Sequence, residues 1–176
     1  MFVLLLLVLL LPSFLSLQNT RPIIGILSQP SSWPKIFDPD EFSYIAASYV
    51  KFLEAAGARV IPLKYDMSRQ NLTKLLFSIN GLLIPGGGTD LIKETHEKNN
   101  NSKKKMEKSE FFETGEFLIS LAREMNEKGD YFPVWGTCLG YELMVMSVAN
   151  DSSNVLSMFN STNHSMKLKF LKVRRS

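Results

Sequence analysis

The sequence predicts an α/β fold, a three-layer sandwich of helices around a mainly parallel sheet. Two features carry that expectation. Short, unbroken apolar runs alternate with longer stretches of helical periodicity, and continuous apolarity marks strands buried on both faces. Glycine-rich turns follow two of those runs, at the carboxyl edge where such sheets gather functional groups.

The elements follow in order. Pro22 to Leu27 is a short apolar run and the first strand. Gln29 to Asp40 carries Pro30, Pro34 and Pro39 and is expected to be a loop, since proline lacks the N–H that regular structure needs. From Glu41 to Ala56 apolar residues recur at helical spacing (Ile45, Tyr49, Phe52, Leu53, Ala56), forming a buried stripe that Gly57 closes. Ala58 to Leu63 is a second strand. Leu72 to Ile79 is helical, and Asn80-Gly81 turns the chain into a third strand, Leu82 to Ile84, ending in Pro85-Gly86-Gly87-Gly88. Residues 93–109 are rich in Lys, Glu and Asn and are expected to form a mobile surface loop. Phe111 to Lys128 is helical through Phe112, Gly115, Leu118, Ile119 and Ala122. No internal repeat is present.

The most informative stretch comes next. Tyr131 to Trp135 is an apolar strand leading into Gly136-Thr137-Cys138-Leu139-Gly140, and Tyr141 to Ala149 is compatible with a helix. The chain's single cysteine thus sits on a sharp strand-to-helix turn. Glycines close on either side permit the strained backbone that lifts a nucleophile out of the sheet edge. The helix start behind the sulfur supplies free N–H groups and a positive dipole end, which favour a thiolate and an oxyanion. The alternative is a buried structural cysteine beside a tight turn. Gly86 to Gly88 offers a second set of N–H groups for an oxyanion. It carries neither phosphate-loop nor dinucleotide glycine spacing, and the plainer reading is a strand-to-loop turn.

Length and composition bound the rest. With 176 residues, 45% of them hydrophobic and 21% charged, the chain can form one globular domain with a core of its own. Met1 to Leu11 is Leu- and Val-rich and precedes Pro12, Ser13 and Ser16. Residues 1–18 therefore read as a signal peptide, short for a membrane span, with a mature chain starting near Gln18 or Asn19. Left uncleaved, the segment would act as a membrane anchor. Asn-x-Ser/Thr triplets at Asn71, Asn100, Asn150, Asn160 and Asn163 agree with the secretory pathway. A lone cysteine there has no internal disulfide partner, which favours a working thiol. The net charge of +3 comes largely from Lys103 to Lys105 and from Lys167, Lys169, Lys172, Arg174 and Arg175. No aromatic stacking pattern accompanies them, so they are solvated residues and nucleic acid is not an expected partner.

Several blocks resemble gamma-glutamyl hydrolases. They are Pro22 to Leu27, Tyr44 to Lys51, Glu54 to Pro62, Ile79 to Gly87 and, most specifically, Gly129 to Gly140. They span about Pro22 to Leu156 in the family's order. The resemblance implies a class I glutamine-amidotransferase-like, flavodoxin-like fold, with removal of gamma-linked glutamates from folate poly-gamma-glutamates in a lysosome, vacuole or secreted fluid. It implies Cys138 as nucleophile, with the Leu139 N–H and one from Gly87 or Gly88 holding the oxyanion, and no metal or organic cofactor. The chemistry is acyl transfer through a thioester. By the same resemblance Tyr44, on the first predicted helix, belongs to the substrate pocket. Glu142 either orients a substrate group or satisfies the helix dipole in the first turn.

One departure weighs against activity. The family's base is a histidine in a Trp-His-Pro-Glu segment about a hundred residues past the cysteine, and no such segment occurs before Ser176. His164 lies in an Asn/Ser-rich context and His96 in the charged segment, so both read as surface residues and no general base is assigned. The expectation is the N-terminal part of the family's domain over residues 19–176, with turnover lost or slow and an unpaired sheet edge prone to self-association. A catalytically dead paralogue or binding remnant is the competing reading. A glutaminase or related hydrolase sharing the elbow fits the N-terminal blocks less well.

Overall fold

Strand β1 (Ile23–Leu27) is the axis of the sheet, flanked on both sides by parallel neighbours. In the computed structural model, which describes residues 19–31, 37–38, 41–96, 104–149, 155–157, 159–161, 163–167 and 169–170, β1 pairs with β4 (Arg59–Leu63) and β5 (Gly81–Ile84). Strand β8 (Val134–Gly136) extends the sheet beyond β5, giving four parallel strands in the order β4-β1-β5-β8. Segment 1–18, Asn100, Asn150, Lys103, Lys172, Arg174 and Arg175 lie outside the described residues.

Alternation along the strands decides which face each side chain joins. Leu27, Leu63, Leu82 and Ile84 point into the core, where they meet Leu72 and Leu76 of α2 (Arg69–Leu76) and Phe111, Phe112, Leu118 and Ala122 of α3 (Glu110–Glu127). Leu143 and Met146 of α4 (Leu139–Ala149) complete that side. Each such Leu or Phe contributes about 1.5–3 kcal/mol on leaving water. The opposite face is covered differently. Helix α1 (Ala47–Ala55) has no buried residue, and an apolar cleft lies beneath it, lined by Ile24, Phe52, Leu53, Leu83 and Trp135 among others. Helices on both faces of a parallel sheet make this the expected α/β sandwich, consistent with a class I glutamine-amidotransferase-like fold.

Local chemistry fixes the ends of the elements. Ser68 accepts the Asn71 N–H at 3.4 Å at the start of α2, and Ser109 accepts the Phe112 N–H at 3.1 Å at the start of α3. Gly57 closes α1 at φ 90°, a left-handed angle that glycine takes without penalty. Asn126 joins the end of α3 to the approach of β8. Its amide donates to the Phe132 carbonyl at 2.7 Å and its carbonyl accepts the Phe132 N–H at 3.1 Å.

Four expectations need correction. The first helix does not begin at Glu41, because Ser43–Tyr44 forms a short strand, β3, antiparallel to β2 (Gln29–Pro30). Backbone pairing with β2 holds that segment extended, so Tyr44 is not helical and residues 29–30 are not loop. Nor is the α1 stripe buried: Phe52 is 62% exposed. Within the segment expected to be a mobile loop, residues 93–96 and 104–108 are strands, and 97–103 lie outside the described residues. Ile92–His96 (β6) and Lys104–Lys108 (β7) pair antiparallel, with the Ser109 N–H closing the base on the Leu91 carbonyl at 2.9 Å. Polar composition reports solvation, and a ribbon in water satisfies its backbone internally whatever its side chains. Within it Lys105 pairs with Glu107 at 2.9 Å, and that hydrogen bond and charge hold the Glu107 carboxyl below the usual carboxylate range.

The contact between α3 and α4 gives a direct test. A Cβ on Gly115 would lie 2.7 Å from Cδ1 of Leu143, which is fully buried and has nowhere to retreat. Overpacking costs about 1–3 kcal/mol, while alanine in a helix recovers about 0.8–1 kcal/mol over glycine. Gly115→Ala is expected to lower stability by about 1 kcal/mol, read as a drop in the urea midpoint. A midpoint that stays or rises would show the interface to be looser than this spacing implies.

Candidate active site

The carboxyl ends of β5 and β8 lie side by side, and the turns leaving the two strands pack against each other. The Thr137 N–H donates to the Ile84 carbonyl at 3.1 Å, carrying the parallel register one residue past β8. The chain then turns. Cys138 adopts φ 51°, in the left-handed region that a residue with a Cβ rarely enters. The Gly140 N–H donates to the Thr137 carbonyl at 2.9 Å and the Glu142 N–H to the Cys138 carbonyl at 3.0 Å, starting α4 with no intervening loop.

Close approach explains both flanking glycines. A Cβ on Gly140 would sit 2.1 Å from the Ile84 carbonyl oxygen, and one on Gly136 would sit 2.5 Å from Met144 Sδ and 2.7 Å from Gly140 C. The first turn of α4 is therefore pressed onto the strand ends, and Cys138 is the residue left at the apex. It is exposed and in no disulfide, so it is not a buried structural cysteine. The Leu139 N–H meets no protein acceptor among the described residues. Glu142, half-buried, lies in the first turn of α4, where a carboxylate complements the dipole.

The glycine run approaches from the other strand. A Cβ on Gly86 would fall 3.0 Å from Cys138 Cβ and 3.2 Å from the Thr137 carbonyl oxygen, so Gly86 packs directly against the elbow. Its N–H donates to the Tyr49 hydroxyl at 2.9 Å. From the other side the buried Gln29 side-chain amide donates to the Gly86 carbonyl at 3.2 Å and the Pro85 carbonyl at 3.4 Å. Gly87 and Gly88 are exposed beyond this point. Tyr49 also lines a cleft of about 380 Å³ with Ser48, Phe52, Leu83, Trp135 and Thr137.

The expected site residues thus divide. Cys138, Leu139, Glu142 and the glycine run converge at one sheet edge. Tyr44 lies on β3, opposite Gln29, and borders a separate cleft with Ser31, Phe37, Phe42 and Ser43. His164 sits in exposed coil, its N–H donating to the Ser161 carbonyl at 3.1 Å. Among the described residues no hydrogen bond joins it to Cys138. The backbone of His96 pairs with Lys104 in the hairpin. Sequence reasoning missed Gln29 and the polar use of Tyr49. A polar residue just past the end of the first parallel strand was the available signal for Gln29.

A cysteine raised on a strand–turn–helix elbow, at the carboxyl edge of a parallel α/β sheet, fits the class I glutamine-amidotransferase-like fold. Comparison with known proteins narrows the class. The Peptidase C26 profile matches residues 22–169, and the chain belongs to that family. It is 41% identical over 152 residues to the gamma-glutamyl hydrolase of Rattus norvegicus, covering 86% of this chain and 42% of that protein. Gamma-glutamyl hydrolase B of Dictyostelium discoideum is 40% identical over 153 residues, covering 86% and 39%. The Homo sapiens gamma-glutamyl hydrolase is 39% identical over 131 residues, covering 74% and 36%. The chain thus spans about two fifths of the length of these relatives.

The packing at the elbow is testable apart from any activity. A methyl group at residue 140 meets a backbone carbonyl, which has no rotamer to escape into. Gly140→Ala is therefore expected to cost about 3 kcal/mol, at the upper end of overpacking penalties, and to displace α4 from β8. Thermal melting of the variant beside the parent chain measures this, and equal melting temperatures would refute the close approach.

Proposed function

We propose that this chain carries the nucleophilic half of a gamma-glutamyl hydrolase site, with Cys138 attacking the gamma-amide carbonyl of folate poly-gamma-glutamates or related gamma-glutamyl peptides. One observation carries the reading: an exposed, left-handed Cys138 lies between Gly86 and the first turn of α4 in a Peptidase C26 chain. The sulfur adds to the carbonyl carbon, and the charge that develops on oxygen is met by the Leu139 N–H and one from Gly87 or Gly88. Collapse of the tetrahedral species breaks the C–N bond and leaves a thioester, which water hydrolyses to free the gamma-carboxylate. The departing amine must gain a proton, and the thiol must lose one. Among the described residues no histidine is hydrogen-bonded to Cys138, and no side chain is assigned to these two proton transfers.

That same observation favours a second reading, a catalytically inactive paralogue that keeps the elbow and its cleft as a binding site. The Leu-rich residues 1–18 and the exposed sequons Asn71, Asn160 and Asn163 support a place in the secretory pathway for either form.

The experiment is glutamate release from a poly-gamma-glutamyl folate by the chain, beside Cys138→Ala and His164→Ala. Cys138→Ala is expected to lower the rate by about 10³-fold or more, while His164→Ala leaves it within about twofold, the scatter of a residue outside the machinery. Release that persists in Cys138→Ala would falsify the nucleophile assignment. No release by the parent chain, with the thiol still open to alkylation, would favour the binding paralogue.

A further inference from the structure

We infer that Gln29 and Tyr49 are positioning residues that orient Gly87 as the oxyanion donor, by clamping two successive peptide planes of the glycine run. The inference rests on the reading of Cys138 as an acyl-transfer nucleophile. It selects one donor from the glycine run and assigns the side chains that hold it.

The geometry is that of planar trans peptides, in which C=O and N–H point in opposite directions. The Pro85–Gly86 peptide is held at both ends. Its carbonyl accepts from Gln29 Nε2 at 3.4 Å, the weaker contact, and its N–H donates to Tyr49 Oη at 2.9 Å. The Gly86 N–H is therefore occupied and is not the oxyanion donor. The next peptide, Gly86–Gly87, is held at its carbonyl by the same Gln29 Nε2 at 3.2 Å. Planarity then turns the Gly87 N–H away from Gln29. Among the described residues it meets no acceptor.

Burial and packing reinforce the assignment. Gln29 is 2% exposed, and a buried side-chain amide without carbonyl partners would be strongly destabilising, so its orientation is set. A Cβ at residue 87 would fall 2.0 Å from Gln29 Oε1, so only glycine lets the amide lie this close. Consecutive glycines are otherwise the most freely rotating stretch a chain can have. Oxyanion stabilisation works best when donors are in place before charge develops. Gln29 and Tyr49 supply that order from β2 and from α1, on opposite sides of the run.

The test separates donor placement from thiol reactivity. With a gamma-glutamyl p-nitrophenyl ester, the Cys138 sulfur forms a bond to the ester carbonyl carbon through an oxyanion. The C–O bond then breaks, and p-nitrophenolate leaves without needing a proton. With iodoacetamide the same sulfur displaces iodide and no oxyanion forms. Tyr49→Phe removes one hydroxyl, and Gln29→Met removes the amide at similar length. Each is expected to slow the nitrophenolate burst about 10- to 100-fold, somewhat less than the loss of an oxyanion donor outright, with iodoacetamide rates within about twofold of the parent chain. Bursts at the parent rate in both variants would overturn the clamp and leave the nucleophile reading standing. Equal slowing of both reactions would also overturn it, since a general loosening of the elbow produces that result. A parent chain that alkylates but gives no burst would sink the acyl-transfer reading, and the clamp with it.

Discussion

The approach of α4 to the end of β5 governs the carboxyl edge of this sheet. Because residue 140 has no side chain, the first turn of α4 rests on the Ile84 carbonyl, where a Cβ would come within 2.1 Å. That contact leaves no length for a loop between β8 and α4, so the chain reverses within Thr137 and Cys138. The left-handed angle at Cys138, its exposure and, among the described residues, the want of an acceptor for the Leu139 N–H all stem from this one constraint. It acts through backbone packing, which explains why the turn forms around residues as unlike as Thr137 and Leu139.

The sheet's two faces are unequal in a way that bears on the site. Helices α2, α3 and α4 bury one face in a continuous core, with Phe111, Phe112 and Leu143 at its centre. That side is the closely packed one. On the other face α1 leaves an apolar cleft, with Trp135 63% exposed, while its Tyr49 reaches over the sheet edge to Gly86. The glycine run is thus held between a buried residue next to the core, Gln29, and a residue on the less firmly seated helix. Disturbing α1 would reach the glycine run through Tyr49 before it reached the core.

Much of this was legible in the sequence, because periodicity and glycine placement report backbone geometry directly. The parallel strands, α3, the elbow and its single cysteine are all visible in those signals. The errors share another cause. In residues 92–96 and 104–108 the only apolar side chains are Ile92 and Met106, too few to show an alternation, so the hairpin looked like a loop. Tyr44 sits in a helical-looking pattern that begins before the helix does, and only its pairing with Gln29 shows otherwise. The contact of Tyr49 with Gly86 spans 37 positions, and no local pattern encodes it. Apolar spacing identified the residue as core, while its hydroxyl, at the far end of an amphipathic ring, is the end that meets Gly86.

The φ of 51° at Cys138 has a consequence for how such a chain ages. A residue with a Cβ in the left-handed region carries about 1–2 kcal/mol of strain that glycine does not. Exchange of the thiol for glycine would therefore relieve the turn while leaving the fold intact, so selection for folding alone pushes this position away from cysteine. A lineage that had lost the need for that sulfur would drift toward a more stable, silent elbow, and comparative melting of the cysteine and glycine forms measures how strong that pull is.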